Sequence, residues 1–264
     1  MLQLAGIGVL FACVFGGFLM SGGSLGVVFE ALPHEMLTIF GAALAALLIG
    51  STMGSLKQIG GELGKIVSGP KWKHGDYTDL LCLLFLVTKT MKTKGMIALE
   101  QHIEKPEESS IFKRYPRIMK DHFALGFICD TLRMLTMSLE DPHQVETAME
   151  KQLEKHHNEA LEAPNALQTM DDGLPAVGIV AAVLGVIKTK GALPEPPAVL
   201  GAMIGSALVG TFMGVFRAYG IVGPMATRLK AIVDEDAQFY KVIADILVAH
   251  LHGNAAQVSV EIGR

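Results

Sequence analysis

Residues 171–224 read DDGLPAVGIVAAVLGVIKTKG followed by ALPEPPAVLGAMIGSALVGTFMGVFRAYGIVGP. Two apolar runs, 176–191 and 198–220, are bracketed by Pro175 and Pro224. Both are lined with Gly and Ala, the residues that let membrane helices approach closely. Ala202, Ser206, Gly210 and Gly214 recur every fourth residue, with Gly201 and Gly205 as a second row, and Gly178 and Ala182 repeat the pattern in the preceding run. Such rows serve either the packing of one bundle or its oligomerisation.

The rest of the composition agrees with a membrane protein. Half of the 264 residues are hydrophobic and 29 are Gly, and the mean hydropathy is +0.41, a profile more typical of a polytopic membrane protein than of a soluble domain. A net charge of −4 with no basic cluster gives no support to a nucleic-acid partner. Cys13, Cys82 and Cys129 are unclustered, so neither a disulfide framework nor a cysteine metal site is indicated.

Four membrane spans follow. No charged side chain occurs before Glu30, so 1–20 is long enough to cross about 30 Å of hydrocarbon. The Lys/Arg-bearing start of a signal peptide is missing, which favours a retained span. A loop holding Glu30, Pro33, His34 and Glu35 is expected before a second span over 36–56; 171–187 and 196–216 supply the third and fourth. Lys57, Lys65, Lys71, Lys151, Lys155, Arg228, Lys230 and Lys241 flank one face of these spans, whereas Lys188 and Lys190 flank the other. The positive-inside rule makes the first face cytoplasmic, with both termini on it.

The fold class expected is therefore all-α, a polytopic membrane protein with four transmembrane helices and a helical cytoplasmic domain. Its parts are spans one and two (1–54), a cytoplasmic helical domain (55–170), spans three and four (171–224) and a cytoplasmic C-terminal helix and tail (225–264). Within the insert, Leu80, Leu84, Val87 and Met91 form a helical stripe that Gly95 interrupts, and Glu100 and Glu104 open the next helix beside Lys89 and Lys92. A helix over 117–139 and another from Asp141-Pro142, ending before Pro164, complete it. No catalytic constellation is visible, and no cofactor is called for. Adjacent His156 and His157 diverge by about 100° on a helix, a poor start for a metal site. No span expected from the sequence has an ionisable residue in its middle. An ion path normally needs one, so a titrating carboxylate would have to come from another chain.

FGGFLMSGGSLGVVFE, GMIALEQHIEKPEESSIFKRYP, DDGLPAVGIVAAVLGVIKT, GTFMGVFRAYGIVGPMAT and VEIGR resemble the MotA family, the channel-and-torque subunits of the bacterial flagellar stator, in collinear blocks along the whole chain. Relatives of the ExbB and TolQ type have three spans, so four favour MotA. The resemblance implies an inner-membrane ring of five copies around a MotB-like subunit whose membrane helix supplies a proton-accepting aspartate. It also implies torque on the rotor protein FliG. Pro175 and Pro224 match the prolines that couple protonation to movement; by the residues alone they read equally as helix punctuation. Lys92, where relatives carry arginine, and Glu100 match the rotor contacts, with Lys94, Glu104 and Arg114 as weaker members. Thr211 matches the threonine of the ion path. Ala182 matches a site that is alanine in proton-driven and threonine in sodium-driven members, and so points to protons. Arg217 departs from the family's apolar residue and is expected to snorkel to the cytoplasmic surface. The chain stops at Arg264, where many relatives continue into a polar tail. An ExbB/TolQ-like energiser of outer-membrane transport, a sodium-driven PomA-like stator and a non-conducting scaffold are the competing functions.

Overall fold

A computed structural model describes residues 2–136, 141–192 and 194–264. Met1 and Leu139, the ends of two helices expected from the sequence, lie outside the described residues. The described residues form helices and no strand. They divide into two compact units, Met1–Gly69 with Leu161–Ile232 and Pro70–Ala160 with Val233–Arg264. Four helices are long and apolar enough to cross a membrane, and all four have their apolar stretches in the first unit.

In that unit, α1 (Leu2–Met20) and α2 (Leu25–Gly50) are joined at Ser21–Ser24. Gly22 there takes φ +84°, and the Ser24 hydroxyl accepts the Gly26 amide at 3.3 Å to start α2. The loop expected around Pro33 is absent: α2 runs through Pro33. In a bundle the carbonyl that a proline frees can find other donors, so an internal proline need not end a helix. As a result Glu30, His34 and Glu35 are helical, and an ionisable residue does lie inside a span.

Helix α3 (Met53–Ser68) is capped by Thr52, whose hydroxyl accepts the Ser55 amide at 3.2 Å. Its Ile59 and Ile66 pack on Ala163, Leu167, Ala226 and Leu229. Thus α3 and residues 161–170, placed with the polar insert by sequence, belong to the compact unit of the spans.

Pro164 also fails to end its helix. Helix α8 runs unbroken over Pro142–Thr189 with Pro164 and Pro175 inside it. Helix α9 (Pro197–Arg217) passes through a π turn at Ala218–Val222 into α10 (Gly223–Leu251). Without a partner amide at Pro224, a regular α turn would leave a carbonyl unpaired and clash with the ring. The chain takes a wider turn just before it, closed by the Gly223 amide on the Ala218 carbonyl.

The second unit has its own core. Helices α4 (His74–Lys94), α5 (Ile97–Glu104), α6 (Pro116–Met119), α7 (His122–Thr136) and α11 (Ala256–Ile262) join the segments of α8 and α10 that belong to it. The stripe Leu80, Leu84 and Val87 is buried, as are Val145 and Met149 of α8. Trp72 stacks on Phe239 with ring centroids 3.8 Å apart. The helix expected over 117–139 is broken at Asp121, which caps α7 through the Ala124 amide at 2.6 Å and also holds Lys71 and the Tyr240 hydroxyl.

Glycine sets the closest approach in the first unit. A Cβ added at Gly214 would lie 2.8 Å from the Leu174 carbonyl oxygen and 2.9 Å from the Gly178 Cα, whereas one added at Gly173 meets nothing. Gly214→Ala is expected to destabilise the purified protein in detergent by about 1–3 kcal/mol, because backbone must move. Gly173→Ala should stabilise it by roughly 0.5–1 kcal/mol through helix propensity. Equal thermal midpoints for the two variants would reject this packing.

Candidate functional site

The seam between α8 and α9 organises the first unit. Gly178 faces the Gly210 carbonyl and the Gly214 and Thr211 backbone, and Gly185 lies against Ala207. The contact rows read from sequence therefore meet through Gly178, Gly210 and Gly214, while Ala202 is exposed. Thr211 is half-buried beside Gly178, and Ala182 is half-buried one turn along α8 from Gly178. Pro175, Gly178 and Ala182 share one helical face by their spacing. Pro175 is half-buried and Pro224 exposed. Pro175 lies inside α8, whereas Pro224 stands in the first turn of α10, directly after the π turn.

Three polar residues at this seam were not singled out for it by sequence. Glu35 of α2 lies against Gly210, where an added Cβ would meet its Oε2 at 2.6 Å, and that oxygen has no hydrogen-bond partner. It borders a cavity of about 270 Å³ with His34, Thr38, Lys188 and Ser206. Asp171 is buried and sits against Gly223. Arg217 does not snorkel as expected: its guanidinium is buried, packs over the Phe40 ring with its centre 5.5 Å from the centroid, and points an Nη at the Met36 sulfur. Glu35 was hidden because Pro33 suggested a loop. Asp171 and Arg217 sit near the ends of apolar runs, where charged residues usually meet water.

The α8 face carrying Ile179, Val180, Val183, Leu184 and Ile187 is exposed in the single chain. So large an apolar surface requires lipid or another helix.

In the second unit, α4 ends in Lys92 and Lys94 and α5 begins with Glu100 in its first turn. Gly95, at φ +79°, makes the break between them, a conformation that favours glycine. Lys92 and Glu100 are both exposed. Glu104 is instead tied to Arg133 at 3.0 Å, which takes it out of a free contact surface. His156 stacks on Phe123 with centroids 3.5 Å apart, and His157 faces Asp234 at 3.5 Å, so the two rings serve different neighbours.

Residues 4–95 match the family Motility protein A N-terminal, and residues 119–241 match the MotA/TolQ/ExbB proton channel family. That is a class of membrane ion-channel subunits, not of enzymes. The sequence is 39% identical over 264 residues to Motility protein A of Escherichia coli, covering 100% of this chain and 89% of that protein. It is 34% identical to Chemotaxis protein LafT of Vibrio parahaemolyticus, covering 100% of this chain and 92% of that one. The chain belongs to the motility protein A family. Its fold is similar to that in the structure of C. jejuni MotAB, with a TM-score of 0.74 at 19% identity over 97% of this chain and 91% of that one. The flagellar MotAB stator complex from Bacillus subtilis gives 0.72 at 19% identity, over 98% and 92%.

The rotor-contact candidate Lys92 has an electrostatic neighbour in His250. Burial holds the His250 imidazole below its usual 6.5; a hydrogen bond to the Asn254 carbonyl partly opposes this, and Lys92 adds to the depression. A depressed histidine is neutral in the fold, so the unfolded chain takes up the proton first as pH falls below 6.5. Stability from the neutral ring is complete above that value and declines below it. Asp245, raised mainly by burial, acts in the opposite direction. Hence His250→Asn should flatten the loss of thermal stability as pH falls below 6.5. An unchanged slope in melting experiments would exclude His250 as its source.

Proposed function

We propose that the protein is a stator subunit of the flagellar motor that, with a MotB-like partner, conducts protons across the inner membrane and turns that flow into torque on FliG. The observation that carries this reading is the glycine-tight α8/α9 seam, with Thr211 beside it, Pro175 inside α8 and Pro224 in the first turn of α10. The two MotAB complexes of the same fold support the partner. The excess of Lys and Arg on one side of the spans supports cytoplasmic termini.

In this reading five copies surround the partner, and its membrane helix runs against the apolar α8 face. A proton neutralises the partner's aspartate, whose packing against α8 and α9 then differs between its two states. That differential interaction is what a population shift requires. Pro175 and Pro224 give the two rods local freedom, since each lacks an amide donor. Thr211 lines the path. Ala182 favours protons, because no side-chain hydroxyl is present there to replace water around sodium. Lys92 and Glu100 engage the rotor; lysine keeps the charge of the family's arginine but lacks its planar fork, so the contact is electrostatic.

Swimming of a stator-deleted bacterium carrying this protein and its MotB-like partner is expected to persist without sodium and to collapse with a protonophore. Sodium-dependent swimming would discard the inference from Ala182. No swimming despite membrane assembly would favour an energiser of outer-membrane transport.

The same strain separates the steps. Pro175→Ala and Pro224→Ala are expected to abolish motility with assembly retained, whereas reversing Lys92 and Glu100 together should weaken motility and leave proton flux intact. Normal swimming in the double reversal would remove those residues from the rotor contact.

A further inference from the structure

Asp171 is a buried carboxylate of the first unit that the proposed coupling does not use, although it lies one turn before Pro175 and against Gly223, the residue before Pro224. It is 5% exposed, whereas its neighbour Asp172 is exposed. Gln168 Nε2 donates to Asp171 Oδ2 at 3.2 Å and to Asp172 Oδ1 at 3.0 Å, which fixes the orientation of the buried group. Asp171 Oδ1 has no hydrogen-bond partner. A buried carboxylate oxygen left in this way costs free energy unless water or a proton completes it.

Its surroundings are specific. A Cβ at Gly223 would lie 2.8 Å from Asp171 Oδ2 and 3.2 Å from Oδ1, so only a glycine there lets the carboxylate reach the backbone at the start of α10. Pro224 is the next residue. On its own helix, Asp171 precedes Pro175 by four residues, so its main-chain carbonyl lacks the amide that it would meet in a regular α-helix. One residue thus presents an unpaired carboxylate oxygen and a carbonyl without its regular helical amide, one turn before Pro175 and against the residue before Pro224. Asp172 is the charged neighbour on the same helix. From α9, Arg217 is engaged with Met36 and Phe40, and from α10 the Gly223 backbone faces the group.

We propose that Asp171 is a second proton carrier of the path, one that takes the proton released by the partner's aspartate and passes it to water at the end of the seam where the two prolines lie. This rests on the proton-conducting reading above. In the step, an O–H bond forms at Asp171 Oδ1 as the O–H bond of the partner's carboxylic acid, or of a connecting water, breaks; the Asp171 O–H bond then breaks to solvent, and no electrons are exchanged. The carboxylate is charged before the transfer and neutral during it. Its contact with the start of α10 therefore differs between the two states, and the transfer is tied to the Pro224 turn.

The test uses the purified complex with its MotB-like partner in liposomes that enclose a pH-sensitive dye. Proton flux is driven by a potassium diffusion potential and recorded across a range of pH. Wild-type flux should show a titration inflection. Asp171→Asn, if co-purified with the partner in normal amount, is expected to lower flux by about tenfold or more and to lose that inflection. Asp171→Glu should keep an inflection at reduced flux, and Gly223→Ala, which displaces the carboxylate without removing it, should shift the inflection. An Asn variant with wild-type flux, or with lower flux and an unchanged pH profile, would overturn the relay. So would failure of the Asn complex to assemble together with an unshifted profile in Gly223→Ala. Absence of flux in the wild type would instead reject proton conduction itself, and the relay with it.

Discussion

The contact of Gly178 with Gly210 and Gly214 is the constraint on which the first unit depends. Lipid gives two apolar helices no hydrophobic reason to associate, so the attraction must come from dispersion at short range. Backbones that touch without side chains between them supply it. Glu35 and Ala181 both lie against Gly210, and the Leu174 carbonyl lies against Gly214, so α2 and α8 are positioned by the same few glycines of α9. Aromatic packing extends the arrangement to α1, where Phe11 and Phe15 meet Phe212 and Phe216.

The second unit rests on different physics. Its core is filled with Leu, Ile, Phe and one Trp, buried by the hydrophobic effect. Its buried charges are paired: Asp76 with Arg117 at 2.8 Å, and Asp121 with Lys71 and the Tyr240 hydroxyl. Arg117 and Lys71 are themselves half-exposed, so removing either cation would strand a buried carboxylate, whereas removing the carboxylate would leave the cation in water. Cys129, its thiol pushed up to about 11 chiefly by burial, belongs to this core.

Much of this was legible from the residues. Apolar length gave four spans, four-residue spacing gave the glycines of the seam, and the stripe from Leu80 to Val87 gave the buried face of α4. Proline behaviour hid part of the rest. In water a proline usually ends a helix, so in one dimension Pro33 and Pro164 look like helix ends and Glu35 looks like a loop residue. Inside a bundle the same residues only bend the local hydrogen-bond ladder. Arg217 was misplaced for a related reason: snorkelling presumes a free path to the surface, whereas Phe40 and Met36 offer a closer aromatic and sulfur surface. Asp171 could have been noticed as the first of a pair of acids one turn before Pro175, but nothing in one dimension distinguishes it from its exposed neighbour.

The π turn at Ala218–Val222 also sets a phase. One extra residue in a turn rotates everything beyond it by about 100° relative to an uninterrupted α-helix. The faces by which α9 meets α2 and α8, and by which α10 presents Ala226 and Leu229 to α3, are therefore offset around a single continuous rod. Chain length between Gly214 and Ala226 is consequently a structural variable in its own right. Loss of one residue there would leave every side chain chemically intact and still turn the α10 stripe away from its partners.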